Sequence, residues 1–297
     1  MSFLILVAMM AVTPQQDVIV TTEWLAAHLN DPNVVLVEIG KRSDFDNGHI
    51  PGARFIASDQ LVVNKNGIPD EMPAVANLER LFGNAGVGNY GRIVLYSREP
   101  LLATRAFFTL DYLGHGNRIA VLDGGYPLWR NEKGMNRPVT KATTKYRTEV
   151  FTAAVDPGKL LTIDDVRMAA STGMIGGENV VIVDARPATQ YIGKDKGRQV
   201  SNPGHIAAAN CAPWTINYTD VVPAKFKTAD ELMVYYNLRG INENAKIVLY
   251  CRTGMEATAT FVALRYLGFK NVALYDGSYV EWNKTGDVVM ASVAAPQ

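Results

Sequence analysis

The chain has 297 residues, enough for about two domains at the usual size of roughly 150 residues. Its 29 basic and 29 acidic residues balance, so its charge gives no reason to expect binding to nucleic acid or to an acidic membrane. Two cysteines are too few for a disulfide framework, and none of the four histidines has the spacing of a zinc site. We therefore expect no metal and no other cofactor.

The first apolar segment, Phe3–Val12, leaves two interpretations open. It has the length of a signal-peptide hydrophobic region and is too short to span a bilayer. No positive charge precedes it, however, and Thr13 followed by Pro14 is a poor cleavage context. An exported protein with a cleaved signal and a cytoplasmic protein with an apolar first strand or arm are both compatible with this pattern. No membrane span is expected in the mature chain.

An internal repeat determines the expected domain organisation. Gly91–Gly114 aligns without a gap to Ala245–Gly268, which places Ser97 opposite Cys251. Three further pairs of segments match in the same order: Val34–Gly40 with Val180–Arg186, Gly48–Ala53 with Gly204–Ala209, and Val121–Trp129 with Leu274–Trp282. Two copies of one fold are therefore expected, at residues 17–135 and 158–291, with a linker at 136–157.

Helices and strands alternate within each copy. "TTEWLAAHL" and "TIDDVRMAA" start with a threonine and continue with helical spacing, and the apolar runs "NVVLVEI" and "NVVIVDA" follow them. The next runs, "RIVLY" and "KIVLY", lead into helical segments that end in glycine. Short apolar runs of this kind are typical of parallel strands that are buried on both faces. Each copy is therefore predicted to be an α/β unit, a small parallel sheet flanked by helices.

Cys251 lies at the junction between the predicted strand "KIVLY" and a helix. Backbone N–H groups converge in such a loop, and they favour negative charge together with the helix dipole. We expect a lowered pKa and a nucleophilic thiolate at this position. A buried packing role is the alternative, but the matching residue in the first copy is Ser97 rather than an apolar residue. Cys211 is expected to be a buried core thiol.

A second difference between the copies lies at the end of the preceding strand. Arg186 follows Asp184 in the second copy, whereas Gly40 occupies the matching place in the first copy. Ligands bind at the carboxyl ends of parallel strands, so Arg186 is a candidate ligand-binding cation and Asp184 a supporting acceptor. The sequence thus predicts one working copy and one silent copy.

With these residues, the sequence resembles the rhodanese sulfurtransferases in their tandem two-domain form, from about Asp17 to Ala291. The resemblance rests on the order and duplication of short motifs: GHIPGA at Gly48–Ala53, DAR at Asp184–Arg186, GHI at Gly204–Ile206, YCRTG at Tyr250–Gly254, and the pair DGGYPLW and DGSYVEW. It implies two rhodanese-like domains, the second of them catalytic. It also implies an active-site loop, Cys251–Glu256, whose cysteine takes a sulfane sulfur as a persulfide and passes it to cyanide or a thiol.

The loop sequence "CRTGME" is compared with two branches of that family. Thiosulfate enzymes resemble C-R-x-G, in which the arginine holds the sulfonate, whereas 3-mercaptopyruvate enzymes resemble C-G-S/T-G-V-T. Arg252 favours thiosulfate as the donor, Thr253 fits the other branch, and 3-mercaptopyruvate stays open as the alternative. Met255 and Glu256 depart from both patterns. Because a carboxylate opposes anion binding, Glu256 is expected to point outward or to pair with an arginine.

The expected site assigns different roles to the loop and to its supports. Cys251 is the nucleophile, and four residues are expected to bind substrate: Arg186, Arg252, Thr253 and Gly254. Four more are expected to support them: Asp184, Met255, Glu256 and His49. His49 and His205 occupy matching places in the two copies, which favours a structural role, although in mercaptopyruvate enzymes the histidine that matches His49 lies near the active loop.

The resemblance also limits the partners and the competing functions. A small sulfur donor and a small acceptor are expected, with a protein thiol as a further candidate acceptor, and the chain is expected to be a monomer. A phosphatase is disfavoured because the C-x5-R phosphate loop would need arginine where Ala257 stands. A module that only carries sulfur or senses a partner is the remaining alternative.

Overall fold

The computed structural model describes residues 18–131 and 137–285, and the apolar segment Phe3–Val12 lies outside them. The helices and strands of the first domain are, in chain order, β1 Ile19–Val20, α1 Thr22–His28, β2 Val34–Gly40, α2 Arg42–Asp46, β3 Arg54–Ala57, β4 Val63–Lys65, β5 Ile68–Glu71, α3 Val75–Asn84, β6 Arg92–Ser97, α4 Pro100–Leu110, β7 Ile119–Leu122 and α5 Gly125–Asn131. None of the helices in the described ranges has the length and apolar character that crossing a bilayer requires.

The second domain repeats most of this order. Its elements are β8 Leu160–Leu161, α6 Ile163–Thr172, β9 Met174–Ile175, β10 Glu178–Asp184, α7 Ala188–Tyr191, β11 Asn210–Cys211, α8 Ala229–Asn237, β12 Lys246–Tyr250, α9 Ala257–Tyr266, β13 Val272–Tyr275 and α10 Ser278–Lys284. Thr162 begins α6 with a reciprocal capping box that pairs it with Asp165, whereas Thr21 caps α1 through one hydrogen bond from the Trp24 amide.

Both domains contain a parallel sheet with the same strand order. The first sheet runs β1-β7-β6-β2-β3, and the second runs β8-β13-β12-β10-β11 with β9 added antiparallel to β10. The central strand β12 is buried along its whole length, as expected for a strand covered on both faces. The prediction of two α/β copies is confirmed.

Helices α4 and α9 pack against each other and join the two domains. Eight consecutive residues of α4 and nine of α9 are buried, since each helix lies between its own sheet and its partner helix. Three contacts pair equivalent positions of the two copies: Thr104 with Thr258 at 2.9 Å, Phe107 with Phe261 edge to face, and Asp111 with Arg265 at 3.4 Å. The two domains are therefore related by an approximate twofold axis that passes between these helices.

Each domain also sends a segment across to the other. The backbone amide of Met72 donates to the Asp276 carboxylate, and the amide of Phe226 donates to Asp123 Oδ1 at 2.8 Å. Met72 and Phe226 occupy matching places in the repeat, as do the two aspartates. Arg105 belongs to the first domain, and its buried guanidinium forms an ion pair with the Asp276 carboxylate at 2.8 Å.

Replacement of Arg105 by alanine should lower the free energy of unfolding by about 3–5 kcal/mol, because it leaves the buried Asp276 carboxylate without its cation. Arg42→Ala is the matched control, since Arg42 pairs with Asp46 on the surface and both side chains are more than half exposed. That control should cost less than ~1 kcal/mol. Equal losses in chemical denaturation would contradict this role of the interface pair.

Candidate active site

The Cys251 thiol lies at the bottom of a loop between β12 and α9. The residue is fully buried, and the backbone N–H groups of Ala257, Thr253 and Glu256 hydrogen-bond to its sulfur. Strand β12 places the cysteine at the carboxyl end of the sheet, and α9 begins only at Ala257, so the loop keeps its amides free to turn inward. This arrangement provides a preorganised set of donors around one sulfur atom, suited to an anionic sulfur.

The segment after β13 holds the base of this loop. The amides of Tyr279 and Val280 donate to the carbonyl oxygens of Cys251 and Arg252, each at 3.0 Å. The Cys251 amide donates to Ser278 Oγ at 3.3 Å. Ser278 has a φ of +51°, a conformation that glycine adopts more easily. Ser278 is a functional position that the sequence motifs did not single out, although the repeat offers a signal for it, since glycine, Gly125, stands at the matching place in the first domain.

The resting thiol does not have the lowered pKa that the sequence suggested. Burial raises the pKa of Cys251 to about 12, and the Glu256 carboxylate raises it further, while the three backbone donors act in the opposite direction. The expected lowering of the pKa came from the helix terminus and the backbone amides. It is outweighed by the free-energy cost of removing water from the thiolate. A pKa raised in this way favours the protonated thiol at neutral pH.

Arg186, which the sequence predicts to bind substrate, has most of its guanidinium engaged within the protein, and only Nη1 is without a hydrogen-bond partner among the described residues. Its guanidinium is fully buried, forms several hydrogen bonds with the Asp184 carboxylate, and donates to the Gly204 carbonyl at 2.7 Å. It also stacks over the ring of Tyr279, with its central carbon 3.8 Å from the ring centre. Asp184 accepts a further hydrogen bond from Tyr250 at 2.7 Å. These contacts tie the end of β10 to the GHI segment.

The first domain contains the same cluster, built with a different arginine. Glu38 accepts from Tyr96 at 2.7 Å and pairs with Arg98, whose guanidinium donates to the Gly48 carbonyl and stacks over Tyr126. Arg98 matches Arg252 in the repeat rather than Arg186. The expectation that the first copy lacks this cation was therefore wrong, because the next loop supplies it. Since the cluster occurs in a domain without the cysteine, it fits a structural role.

The side chain of Arg252 does not join the cluster of the second domain, unlike its counterpart Arg98 in the first domain. It is half-buried and donates to the side chain of Gln199, an exposed residue, at 3.2 Å. Because Arg186 already fills the place that Arg98 occupies in the first domain, Arg252 is left at the mouth of the loop. It is the loop cation that a ligand can reach.

Of the two expected arrangements of Glu256, outward or paired with an arginine, the structure does not show the first, since the carboxyl group faces inward. Burial raises its pKa, although Arg252 and Arg186 attract the carboxylate and act in the opposite direction. Trp214 hydrogen-bonds to the carboxyl group, but Oε2 is buried without a hydrogen-bond partner among the described residues. The expected association with an arginine is present as an electrostatic attraction to Arg252.

The other loop residues shape the backbone. Thr253 is buried and contributes its amide to the sulfur, and Met255 accepts hydrogen bonds from Thr258 through its carbonyl. Gly254 has a φ of +84°, and a Cβ atom there would lie 2.8 Å from the carbonyl oxygen of Asp276. Glycine is therefore required both by the backbone conformation and by the close approach of Asp276.

The two histidines are bound within their own domains. His49 is fully buried, stacks on Phe45, and contacts the carbonyl oxygens of Phe45 and Ala142 through its two ring nitrogens. Both ring nitrogens are therefore engaged by groups outside the Cys251 loop. His205 stacks on Tyr191 and contacts its carbonyl oxygen at 2.9 Å. The matching environments agree with the structural interpretation.

The loop of the first domain has a different backbone path. Helix α4 begins at Pro100, whereas the matching residue in the second domain is Gly254 and α9 starts three residues later. Proline also lacks an N–H group. Ser97 directs its hydroxyl to the Glu99 carbonyl at 2.6 Å. The residues that surround the sulfur in one domain thus form the first helical turn in the other.

Comparison with known proteins gives one family and two kinds of named relative. The rhodanese-like domain family matches residues 21–132 and 171–285. The 3-mercaptopyruvate sulfurtransferase of Escherichia coli K12 is 28% identical over 287 residues, which cover 92% of this chain and 98% of that protein. A protein provisionally named thiosulfate sulfurtransferase, from Mycolicibacterium smegmatis, is 28% identical over 288 residues, 94% of this chain and 98% of its own.

Solved structures show the same architecture. The crystal structure of SseA from Escherichia coli, described as having the rhodanese fold, superposes with a TM-score of 0.74 at 27% identity and covers 88% of this chain and 98% of its own. EanB in complex with ergothioneine superposes with a TM-score of 0.81 at 20% identity, covering 95% of this chain and 71% of its own, and at that identity supports the fold alone.

A methyl group at Gly254 should disturb the loop more than the same change at another glycine with positive φ. Gly240→Ala is the control, because its φ is +70° and a Cβ atom added there would have no atom of the described residues within 4 Å. The control should lower the free energy of unfolding by about 1–2 kcal/mol through backbone strain. Gly254→Ala should cost about 1–3 kcal/mol more, because Asp276 must move. Indistinguishable denaturation curves would show that the loop absorbs the methyl group.

Proposed function

Because the chain belongs to the rhodanese-like domain family, we propose that it is a sulfurtransferase that carries sulfur as a persulfide on Cys251. The observation that supports this most directly is the convergence of three backbone N–H groups on the Cys251 sulfur. Such donors stabilise an anionic sulfur in a site closed to water, which is the form of the attacking thiolate. The other domain has serine at this position and a loop wound into helix.

The reaction proceeds in two displacements. The Cys251 thiolate attacks the transferable sulfur of the donor, a new S–S bond forms, and the old bond from that sulfur breaks with its electron pair on the leaving group. The acceptor, cyanide or a thiol, then attacks the outer sulfur and releases the cysteine thiolate. Because the resting pKa of Cys251 is about 12, the thiol has to lose its proton before the first attack, and an approaching cation or a rearranged loop would assist this.

Two donors are compatible with the loop, and each is favoured by one observation. Arg252 lies at the loop mouth and is suited to the sulfonate of thiosulfate, since an arginine fork matches paired oxygens. Glu256 lies beside the sulfur and disfavours a dianion, which supports 3-mercaptopyruvate. A protein thiol is a further candidate acceptor. Because Cys251 is fully buried, any acceptor has to reach the outer sulfur of the persulfide rather than the cysteine itself.

Cys251→Ser should abolish sulfur transfer, whereas Cys211→Ser should keep most of it. Cys211 is the matched control, because it is also buried, and burial raises its pKa to about 11. Mass spectrometry of peptides after exposure to each donor should find one added sulfur on the peptide that contains Cys251. Detection of that sulfur on Cys211 instead would overturn the assignment.

Ser97→Cys should not create a second transfer site in the first domain. Charge is not the reason, since Arg98 supplies a guanidinium in this domain. The reason is the backbone, because α4 begins at Pro100 and the residues that would form the loop are helical. The variant to measure is the double change Ser97→Cys, Cys251→Ser, with Cys251→Ser alone as the reference. Transfer above that reference would show that a helical turn can replace the loop.

A further inference from the structure

The Glu256 carboxyl group is the feature of the loop that the persulfide mechanism leaves unused. Its backbone amide donates to the Cys251 sulfur, so the side chain starts beside the nucleophile. One carboxyl oxygen, Oε2, is buried without a hydrogen-bond partner among the described residues. A buried polar atom without a partner costs free energy, so its presence next to a reactive sulfur calls for a functional reason.

The Glu256 carboxylate and the charges that face it nearly cancel. Asp184 and Arg186, at the end of β10, already neutralise each other through several hydrogen bonds. Arg252 comes from the loop itself, Trp214 is neutral, and Cys251 is protonated at rest. Among the described residues, the Glu256 carboxylate therefore stands beside one cation that a ligand can reach, Arg252, and the site has little net positive charge for an anionic donor.

We propose that Glu256 is a specificity-determining residue, which makes the site prefer sulfur donors that carry one negative charge, the 3-mercapto-2-oxo acids, over the dianion thiosulfate. The inference rests on the proposed function and names its donor class. Repulsion from a carboxylate grows with the charge of the donor, and in a buried site it is several times stronger than in water. Arg252 attracts both donors, but it does not offset the extra charge of thiosulfate once Glu256 is ionised.

The proton balance of the two reactions points the same way. With thiosulfate, the S–S bond breaks and sulfite leaves as an anion without taking a proton. With a 3-mercapto-2-oxo acid, the C–S bond breaks, its electron pair stays on carbon, and that carbon takes a proton to give the 2-oxo acid. The donor's own S–H group supplies this proton. The Glu256 Oε2 atom lies beside the sulfur and has no hydrogen-bond partner among the described residues. It can therefore accept the proton from the donor's S–H group and return it to the carbon.

Glu256→Gln keeps the shape of the side chain and removes its charge, so it tests the proposal directly. Glu243→Gln, a change at an exposed residue in the loop before β12, is the control for net charge. We expect kcat/KM for thiosulfate to rise about 10-fold or more relative to kcat/KM for 3-mercaptopyruvate in Glu256→Gln. The control should leave that ratio within about twofold of the wild-type value.

A measurement on the wild-type protein serves if the variant does not fold. Below the raised pKa of Glu256 the carboxyl group becomes neutral, so the preference for 3-mercaptopyruvate should weaken as pH falls. The ratio of the two kcat/KM values cancels the ionisation of Cys251, which affects both donors. It does not cancel the protonation of the donors themselves, so each donor is titrated alone and the ratio is corrected for its ionisation before the pH profile is read.

The outcomes separate the two proposals. If mass spectrometry finds no added sulfur on Cys251 with either donor, the proposed function fails. If the persulfide forms but the ratio stays unchanged in Glu256→Gln, or the wild-type ratio is independent of pH, only the role of Glu256 fails. A wild-type preference for thiosulfate would also overturn that role.

Discussion

The packing of α4 against α9 is the constraint on which the rest of the molecule depends. Each helix is buried between its own sheet and its partner, so each domain covers part of the other's core. The contact between Thr104 and Thr258 marks the axis, and the loop with Cys251 lies just before this part of α9. From the same interface, Arg105 reaches Asp276, whose carbonyl oxygen lies against Gly254. The first domain therefore supports the backbone of the Cys251 loop in the second domain.

The two copies share their supports and differ in their loops. A carboxylate, a tyrosine hydroxyl and a stacked guanidinium join the strand end to the GHI segment in both domains. Because the arginine comes from position 186 in one domain and 98 in the other, the cluster is preserved although its donor changes. The exchange has a chemical effect. Arg252 matches Arg98 in the repeat. Because Arg186 fills the cluster in the second domain, Arg252 lies at the mouth of the Cys251 loop instead.

The sequence was sufficient for the fold and for the place of Cys251 in a loop between a strand and a helix. Matching apolar runs and the ungapped alignment of Ser97 with Cys251 depend on periodicity and spacing, which a linear chain displays directly. The charges around the sulfur were not predictable in this way. The pKa of Cys251, the inward turn of Glu256 and the partners of Arg186 depend on burial and side-chain direction in loops. Neither property has a period, so no pattern in the residues reports it.

The pairing of Asp111 with Arg265 has a consequence for how such a molecule arises. These residues occupy the same place in the repeat and meet across the axis at 3.4 Å. In a symmetric pair of identical subunits, the position would face its own copy, and two like charges would be buried together. Opposite charges at one position require two copies that are encoded separately and joined. The contact fits two halves that have diverged in sequence, and it makes them complementary to each other rather than to themselves.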